Sequence, residues 1–434
     1  MRKFPKILFL GGEPISMSSA TGITTSNLFC EWPKDSLAQI FTANLSTDES
    51  KCMFSFRLSS RDLVPFAFMF AGSTGAYISP SNSSAVLLDP RAVGVRAKIQ
   101  YAVAPLLDFL PYRVPVPVLR QIDDFRPDVI YSLLGNVRIT RLALELGRRF
   151  RVPVVPHFMD DWLATYSVPD KSTGTWLHRK VLNRAVNRLF QHVPLGMAIG
   201  DMMAREYSQK FGCEFLSFMN PVESVKDERD SVPCSASPLV FVYVGGLHLR
   251  RDQVLADVAE VLSCINLNGV VAELHIYAPD ADGDKARQLA ARCDAVRYCG
   301  SVPAHEVASV LRHCDVAVHV ESSQASVARY TRISMSTKIP QYFASGLPVL
   351  AFGPPASASS SYVADTNAGV SVNGLDKAAL LSVMERLVSD REWREEMGLS
   401  AIKVAMERHL GVRVRSDFAD ALLRAANAGG QSYA

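Results

Sequence analysis

No stretch of this 434-residue sequence approaches the ~18 uninterrupted apolar residues of a membrane-crossing helix, so no spanning segment is expected. The eight cysteines contain no Cys-x-x-Cys pair and no histidine spacing suited to zinc, which argues against a zinc module. They read as reduced, mostly core thiols of a cytoplasmic protein. A signal peptide is not expected either: MRKFPKILFLGGEP opens basic and apolar, but the run 7–10 is too short and ends in Gly-Gly-Glu-Pro, so it reads as a first strand. A net charge of only +3 implies no general polyanion-binding surface, and nucleic acid is not an expected partner. No internal repeat is evident.

What is present is a long, apolar chain with uneven charge. Nearly half the residues are hydrophobic, and the length predicts two or three domains. Residues 1–220 carry 25 Lys and Arg against 18 Asp and Glu, whereas the remainder carries 21 against 25. The basic half is the better candidate to face anionic material such as a lipid headgroup, although a solvated basic face explains the same excess.

Strand 6–10 runs into Gly11-Gly12 and a Ser/Thr-rich loop, with a helical pattern from about Asn27. Strand, glycine loop and helix open a doubly wound domain, and such a loop lets backbone approach a ligand. Eight basic residues and three acids lie between Ser50 and Arg120, among the apolar pieces 63–70 and 101–119. One reading is a lipid-touching surface with Arg57, Arg61, Arg96, Lys98 and Arg113 on headgroups. The other is irregular core helices, since Pro105, Pro111, Pro115 and Pro117 break any long amphipathic helix.

Strand 126–131, helix 138–150 and strand 152–158 form a βαβ unit that ends in HFMDDW, where a Rossmann-like sheet places ligand contacts. A helix over 175–193 carries Arg179, Lys180, Arg184 and Arg188 on its polar face; this is either a membrane or acceptor surface or a solvated one. A polar linker at 223–238 separates residues 1–222 from a second domain, 239–412, which starts again with a strand into Gly245-Gly246. A last helix, 414–426 within the segment 413–434, is one that in this fold class returns toward the first domain. Later elements alternate: helix 253–267, strand 272–277, helix 284–293, strand 296–298, helix 305–312, strand 316–320, helices 377–388 and 391–408.

The segment 336–354, STKIPQYFASGLPVLAFGP, concentrates the signals. A hydroxyl residue able to cap a helix precedes Pro340, Gly346 stops the helix, and an apolar strand follows. Lys338 lies in the first turn, where the positive helix end disfavours a cation unless an anion, such as a phosphate, neutralises both.

In register, Lys338, Gln341, Tyr342, Phe343, Ala344, Gly346, Pro348 and Val349 resemble the helix-strand motif of family-4 (group 1) retaining glycosyltransferases. VYVGGLHLRRD at 242–252, RYCGSVPAHEVASVLRHCDVAV at 297–318 and YVADTNAGVSV at 362–372 resemble the same family in the same order. The resemblance implies an α/β, GT-B fold: two Rossmann-like doubly wound domains facing each other across a cleft. It implies a nucleotide sugar as donor substrate, no further cofactor, and a metal-independent leaving group held by fixed cations.

Carried over position by position, the family's Gly-Arg stands here as Gly245-Gly246 and its lysine as Arg251, with Arg250 beside it as a replacement cation. Lys338 is then the third cation. The family's pair of acids falls on Ile333 and Gln341, neither of them acidic. Gln341 retains a carbonyl for ribose hydroxyls, and Glu321, after strand 316–320, is a candidate replacement acid. Arg329, Tyr330 and Arg332 are within the same loop region. Val302 is expected to meet the base through backbone.

On the acceptor side stand Gly11, Gly12, His157, Asp160 and Asp161. Asp160 falls at the family's Asp position and Met159 at its His position; His157 shares the strand face of Met159. The plainer readings are a satisfied strand histidine for His157 and a turn cap for Asp160 or Asp161.

These features predict a hexosyltransferase acting on a glycan or glycolipid acceptor, a lipid-linked surface-polysaccharide intermediate, with peripheral contact to an anionic membrane at its inner face. The alternatives are a non-catalytic GT-B-like subunit, motivated by the lost acids, and a nucleotide-sugar epimerase.

Overall fold

The computed structural model describes residues 4–17, 19–48, 50–59, 62, 110–165, 173–226 and 238–432. Arg61, Arg96, Lys98, segment 63–70 and residues 101–109 lie outside the described residues, as does most of the linker interval, 227–237. The chain forms two compact units, residues 1–219 with 414–434, and residues 220–413.

In the first unit the elements run β1 (Ile7–Gly11), α1 (Ala20–Leu28), β2 (Leu37–Phe41), β3 (Ser55–Arg57), α2 (Val116–Phe125), β4 (Val129–Ser132), α3 (Val137–Phe150) and β5 (Val154–Phe158). They continue with α4 (Trp162–Thr165), α5 (Thr173–Phe190), β6 (Gly196–Ala198), α6 (Asp201–Phe211) and β7 (Phe215–Ser217). The sheet order is β3-β2-β1-β4-β5-β6-β7, parallel throughout. Strands such as ILFLG and VVPHF are buried on both faces, which is why they read as continuous apolar runs.

The second unit repeats the plan with β8 (Leu239–Val244), α7 (Arg251–Ile265), β9 (Ala272–Tyr277), α8 (Gly283–Ala290), β10 (Val296–Gly300), α9 (Val307–Leu311) and β11 (Val316–Val320). Next come α10 (Ala325–Thr331), α11 (Ile339–Ala344), β12 (Val349–Gly353), α12 (Ala358–Asp365), β13 (Gly369–Asn373), α13 (Lys377–Ser389) and α14 (Arg391–Val404). Its order is β10-β9-β8-β11-β12-β13, again parallel. Strand order reverses between β1 and β4 in one sheet and between β8 and β11 in the other. Ligands of doubly wound sheets bind at the carboxyl ends of such strands.

Helix α15 (Gly411–Ser432) belongs to the first unit from Val414 onward. Its Phe418 is fully buried and meets Phe29, Tyr131 and Phe218 edge-on at centroid distances of 5.1, 5.7 and 5.2 Å.

Three expectations about element ends are corrected. Helix α1 begins at Ala20, seven residues before the expected Asn27, because Ser19 caps it by accepting from Gly22 N at 3.0 Å. The expected helix 391–408 ends at Val404 and passes into a π-helical turn, Ala405–His409. No hydroxyl caps α11: the residue before it is Lys338, in helical backbone conformation and without a side-chain cap bond.

Candidate functional site

The carboxyl end of β8 is built around two glycines. Gly245 has φ +149, and its N–H donates to Tyr277 O at 2.8 Å. A Cβ there would overlap Lys338 Cε and lie 2.8 Å from Nζ, so only glycine lets the lysine cross the strand end. The carbonyl of Gly246 accepts from the Tyr243 hydroxyl at 2.7 Å, and Leu247 N–H donates to Asp282 Oδ2 at 2.8 Å. Leu249 and Arg250 then take left-handed backbone, at φ 57 and 59, to turn the chain into α7. Two successive non-glycine residues in this region cost on the order of 1 kcal/mol each, the kind of strain that marks functional turns.

That turn brings cations together. Arg251 donates from Nη1 to His248 Nε2 at 3.4 Å. Burial first, and then Arg251, pull the Lys338 ammonium down to about 8. Burial, Arg251, Lys338 and Lys285 push the His248 ring down to about 3. Cations that lower one another's proton affinity in a desolvated site form an anion site, and an entering diphosphate relieves the repulsion.

Glu321 stands just past β11, buried, with Oε1 3.0 Å from His319 Nε2. Burial opposes its ionisation, but the His319 hydrogen bond, Ser357 and the field of Arg251 together hold it below the ordinary carboxylate value. The Ser357 hydroxyl favours the charged form without reaching hydrogen-bond geometry, for Oε2 has no such partner.

Gly245, Gly246, Arg251 and Lys338 are thus brought together, with Glu321 within the field of Arg251. Arg250 turns along α7 and donates to Gln253 Oε1 at 3.3 Å. Gln341 is half-buried in the first turn of α11, its backbone carbonyl accepting from Ser345. Val302 is half-buried beyond β10, after Gly300 at φ +85. Ile333 is buried. Asp280 and Asp282 have the Asp-x-Asp spacing, which the expectation of a metal-free site did not take into account. Asp282 is occupied by Leu247 N and, at 3.9 Å, by Lys285 Nζ. No group of three metal-type side chains occurs among the described residues. His248, Asp282 and Lys285 escaped the sequence reading; a histidine two residues after the missing arginine was the available signal.

In the first unit, Gly11 ends β1, and Gly12 O accepts from Thr42 N and Ala43 N at 3.1 and 2.8 Å. His157 is buried, its Nδ1 2.5 Å from the Tyr131 hydroxyl, and burial pushes it down to about 3. It is an interior strand histidine. Asp161 accepts from the Tyr207 hydroxyl at 2.8 Å and from Ala164 N at 3.3 Å, closing the turn into α4. Asp160 is half-buried beside it at the end of β5. Arg179, Lys180, Arg184 and Arg188 are exposed along α5 while Leu182, Val186 and Leu189 are buried. No described helix is long and apolar enough to cross a membrane.

Residues 238–390 match the family described as "Glycosyl transferases group 1". No curated protein matches the chain in sequence. Among solved structures, the chain is similar to sucrose-phosphate synthase from Thermosynechococcus elongatus, at 13% identity and TM-score 0.63, over 96% of this chain and 98% of that one. It is similar to Anabaena Alr3699/HepE in complex with UDP, at 13% identity and TM-score 0.61, over 96% and 100%. A third is WaaG, a glycosyltransferase involved in lipopolysaccharide biosynthesis, at 12% identity and TM-score 0.56, over 95% and 98%. At these identities the likeness gives the fold, and that fold is GT-B.

Proposed function

We propose, from the premise that the second unit belongs to the group 1 glycosyl transferases, that this protein is a retaining hexosyltransferase. It moves a sugar from a nucleoside diphosphate to a glycan or glycolipid acceptor, a lipid-linked surface-polysaccharide intermediate. The observation that carries the reading is the cation cluster at the end of β8. Arg251 and Lys338 hold the diphosphate and stabilise the charge that grows on it as the glycosidic bond breaks. Arg251 supplies a fork for two phosphate oxygens. Gln341 meets ribose hydroxyls, Val302 the base, and Glu321 a donor hydroxyl; Asp160 serves the acceptor side. The complexes of HepE with UDP and with UDP-glucose make uridine nucleotides the first donors to try. The exposed basic face of α5, with no acid from 173 to 191, supports contact with an anionic membrane surface.

Thermal-shift titration with a panel of nucleotide sugars tests the site. Arg251→Ala and Lys338→Ala are each expected to weaken donor binding about tenfold or more, the scale of a lost charge-assisted contact. Binding also weakens as pH rises from about 8, where the empty site's Lys338 loses its proton. Unchanged affinity in both variants overturns the diphosphate site. No binding of any nucleotide sugar, with no nucleoside diphosphate released in membrane extract, overturns the transferase reading.

A second reading, a non-catalytic nucleotide-binding subunit, is favoured by Ile333 and Gln341 at the acid positions, with Ile333 buried. Turnover by the isolated chain removes it.

A further inference from the structure

The family resemblance puts an arginine at position 246, where this chain has glycine. The ring of His248 fills the space where that side chain would begin. A Cβ at Gly246 would lie 2.7 Å from His248 Nδ1 and 3.1 Å from Cε1, with Asp282 Oδ2 at 3.3 Å. Arg250, the neighbour that sequence alone offers as the substitute, is bonded along the first turn of α7 to Gln253. The imidazole is therefore the group that stands where the missing guanidinium would start.

Charged groups face this ring from each neighbouring element. Arg251 at the start of α7 donates to Nε2. Lys338, immediately before α11, lies across Gly245, one residue from the ring's contact at Gly246. Lys285 from α8 adds positive potential, while Asp282 is engaged by Leu247 N and lies 3.9 Å from Lys285. The Tyr243 hydroxyl is bonded to Gly246 O. As long as no anion is present, burial and these cations keep the ring at about 3, hence neutral near pH 7. A diphosphate reverses the sign of the local potential, and its attraction, little screened in a buried site, then works against the desolvation that keeps the ring neutral.

We propose that His248 replaces the arginine missing at position 246: neutral in the empty site, with Nε2 accepting from Arg251 and the proton on Nδ1, it takes one proton from solvent on Nε2 as an entering diphosphate draws the Arg251 guanidinium to itself, and the resulting imidazolium donates in a hydrogen bond to a phosphate oxygen. This rests on the diphosphate reading above and goes further: donor capture consumes a proton, and the anchor is a histidine that the sequence motif does not mark. The nucleoside diphosphate left after transfer is held by the same bond, so raising the pH speeds its release.

The test is calorimetric titration of the full chain with inorganic pyrophosphate at pH 7, in two buffers of different ionisation enthalpy. At that pH Lys338, at about 8, is already about nine-tenths protonated and contributes little uptake. The wild-type protein is expected to take up about half a proton or more beyond His248→Gln, and the variant to bind about tenfold more weakly. His248→Arg keeps a charge that does not titrate; it is expected to bind without the extra uptake. Equal uptake and affinity in wild type and His248→Gln overturn the inference while leaving the diphosphate site standing. Should His248→Gln fail to fold, wild-type uptake in His248→Arg overturns it equally. A wild-type protein that binds neither pyrophosphate nor any nucleotide sugar removes the diphosphate reading along with it.

Discussion

Gly245 is the residue on which the anion site depends, because Lys338 crosses the backbone where any Cβ would stand. Gly245→Ala meets two obstacles at once, a φ of +149 and the lysine stem. The strain costs about 1–2 kcal/mol of stability, since alanine does not adopt this conformation freely. The lysine must also move, so nucleotide affinity should fall about tenfold or more, the scale of one charge-assisted phosphate contact. Chemical denaturation and nucleotide titration of the same variant check both parts; full affinity would show that Lys338 binds nothing. Lys338 and the glycine pair stand out in the sequence, because a cation at a helix start and a glycine after a strand are local signals, whereas Arg251 is marked only by the family resemblance. His248 was not legible. Its only local signal is its place two residues after the missing arginine, and its meaning comes from Gly246 and from cations 3 and 90 positions away in the chain.

At the scale of elements, α11 shows what local pattern conveys and what it omits. Its six residues lack a hydroxyl cap, contrary to the expectation from Ser336, and tertiary contacts hold it instead. Ile339, Tyr342 and Phe343 are buried, and the Tyr342 hydroxyl accepts from Val244 N at 3.1 Å. Strand β8 pairs with β11 at Phe241 and Val242, short of Val244, so the phenol supplies what that neighbour would at Val244. Tyr342→Phe leaves that buried N–H without its acceptor, a loss of about 1–2 kcal/mol. Because Lys338 immediately precedes α11, pyrophosphate affinity should fall with it; unchanged affinity would mean the helix is placed by packing alone. Strands 272–277 and 316–320 were read to the residue, since buried parallel strands end where apolar runs end. Helix ends were missed where a cap or a π turn, rather than periodicity, decides them.

For the molecule as a whole, the decisive fact is that the chain's end completes its beginning. Val414, Phe418, Ala421, Leu422 and Ala425 of α15 share one buried cluster with Ile7, Phe9, Phe29, Trp32 and Tyr131. A long-range contact of this kind is invisible to periodicity, which shows only that 414–426 is an amphipathic helix; its destination came from the family resemblance. The second unit has its own cluster, built on Leu239, Phe241, Leu255, Val258, Leu274, Val316 and Phe352. Phe418→Ala should therefore cost about 3–5 kcal/mol, as for other buried phenylalanines, with the loss confined to the first unit. Calorimetric melting separates this from a global effect. The transition of the first unit should drop by several degrees, while the transition that pyrophosphate raises, belonging to residues 220–413, should stay where it is. A single transition falling for both would mean that the two units melt as one cooperative body, and the effect of every site variant on stability would then have to be measured on the intact chain.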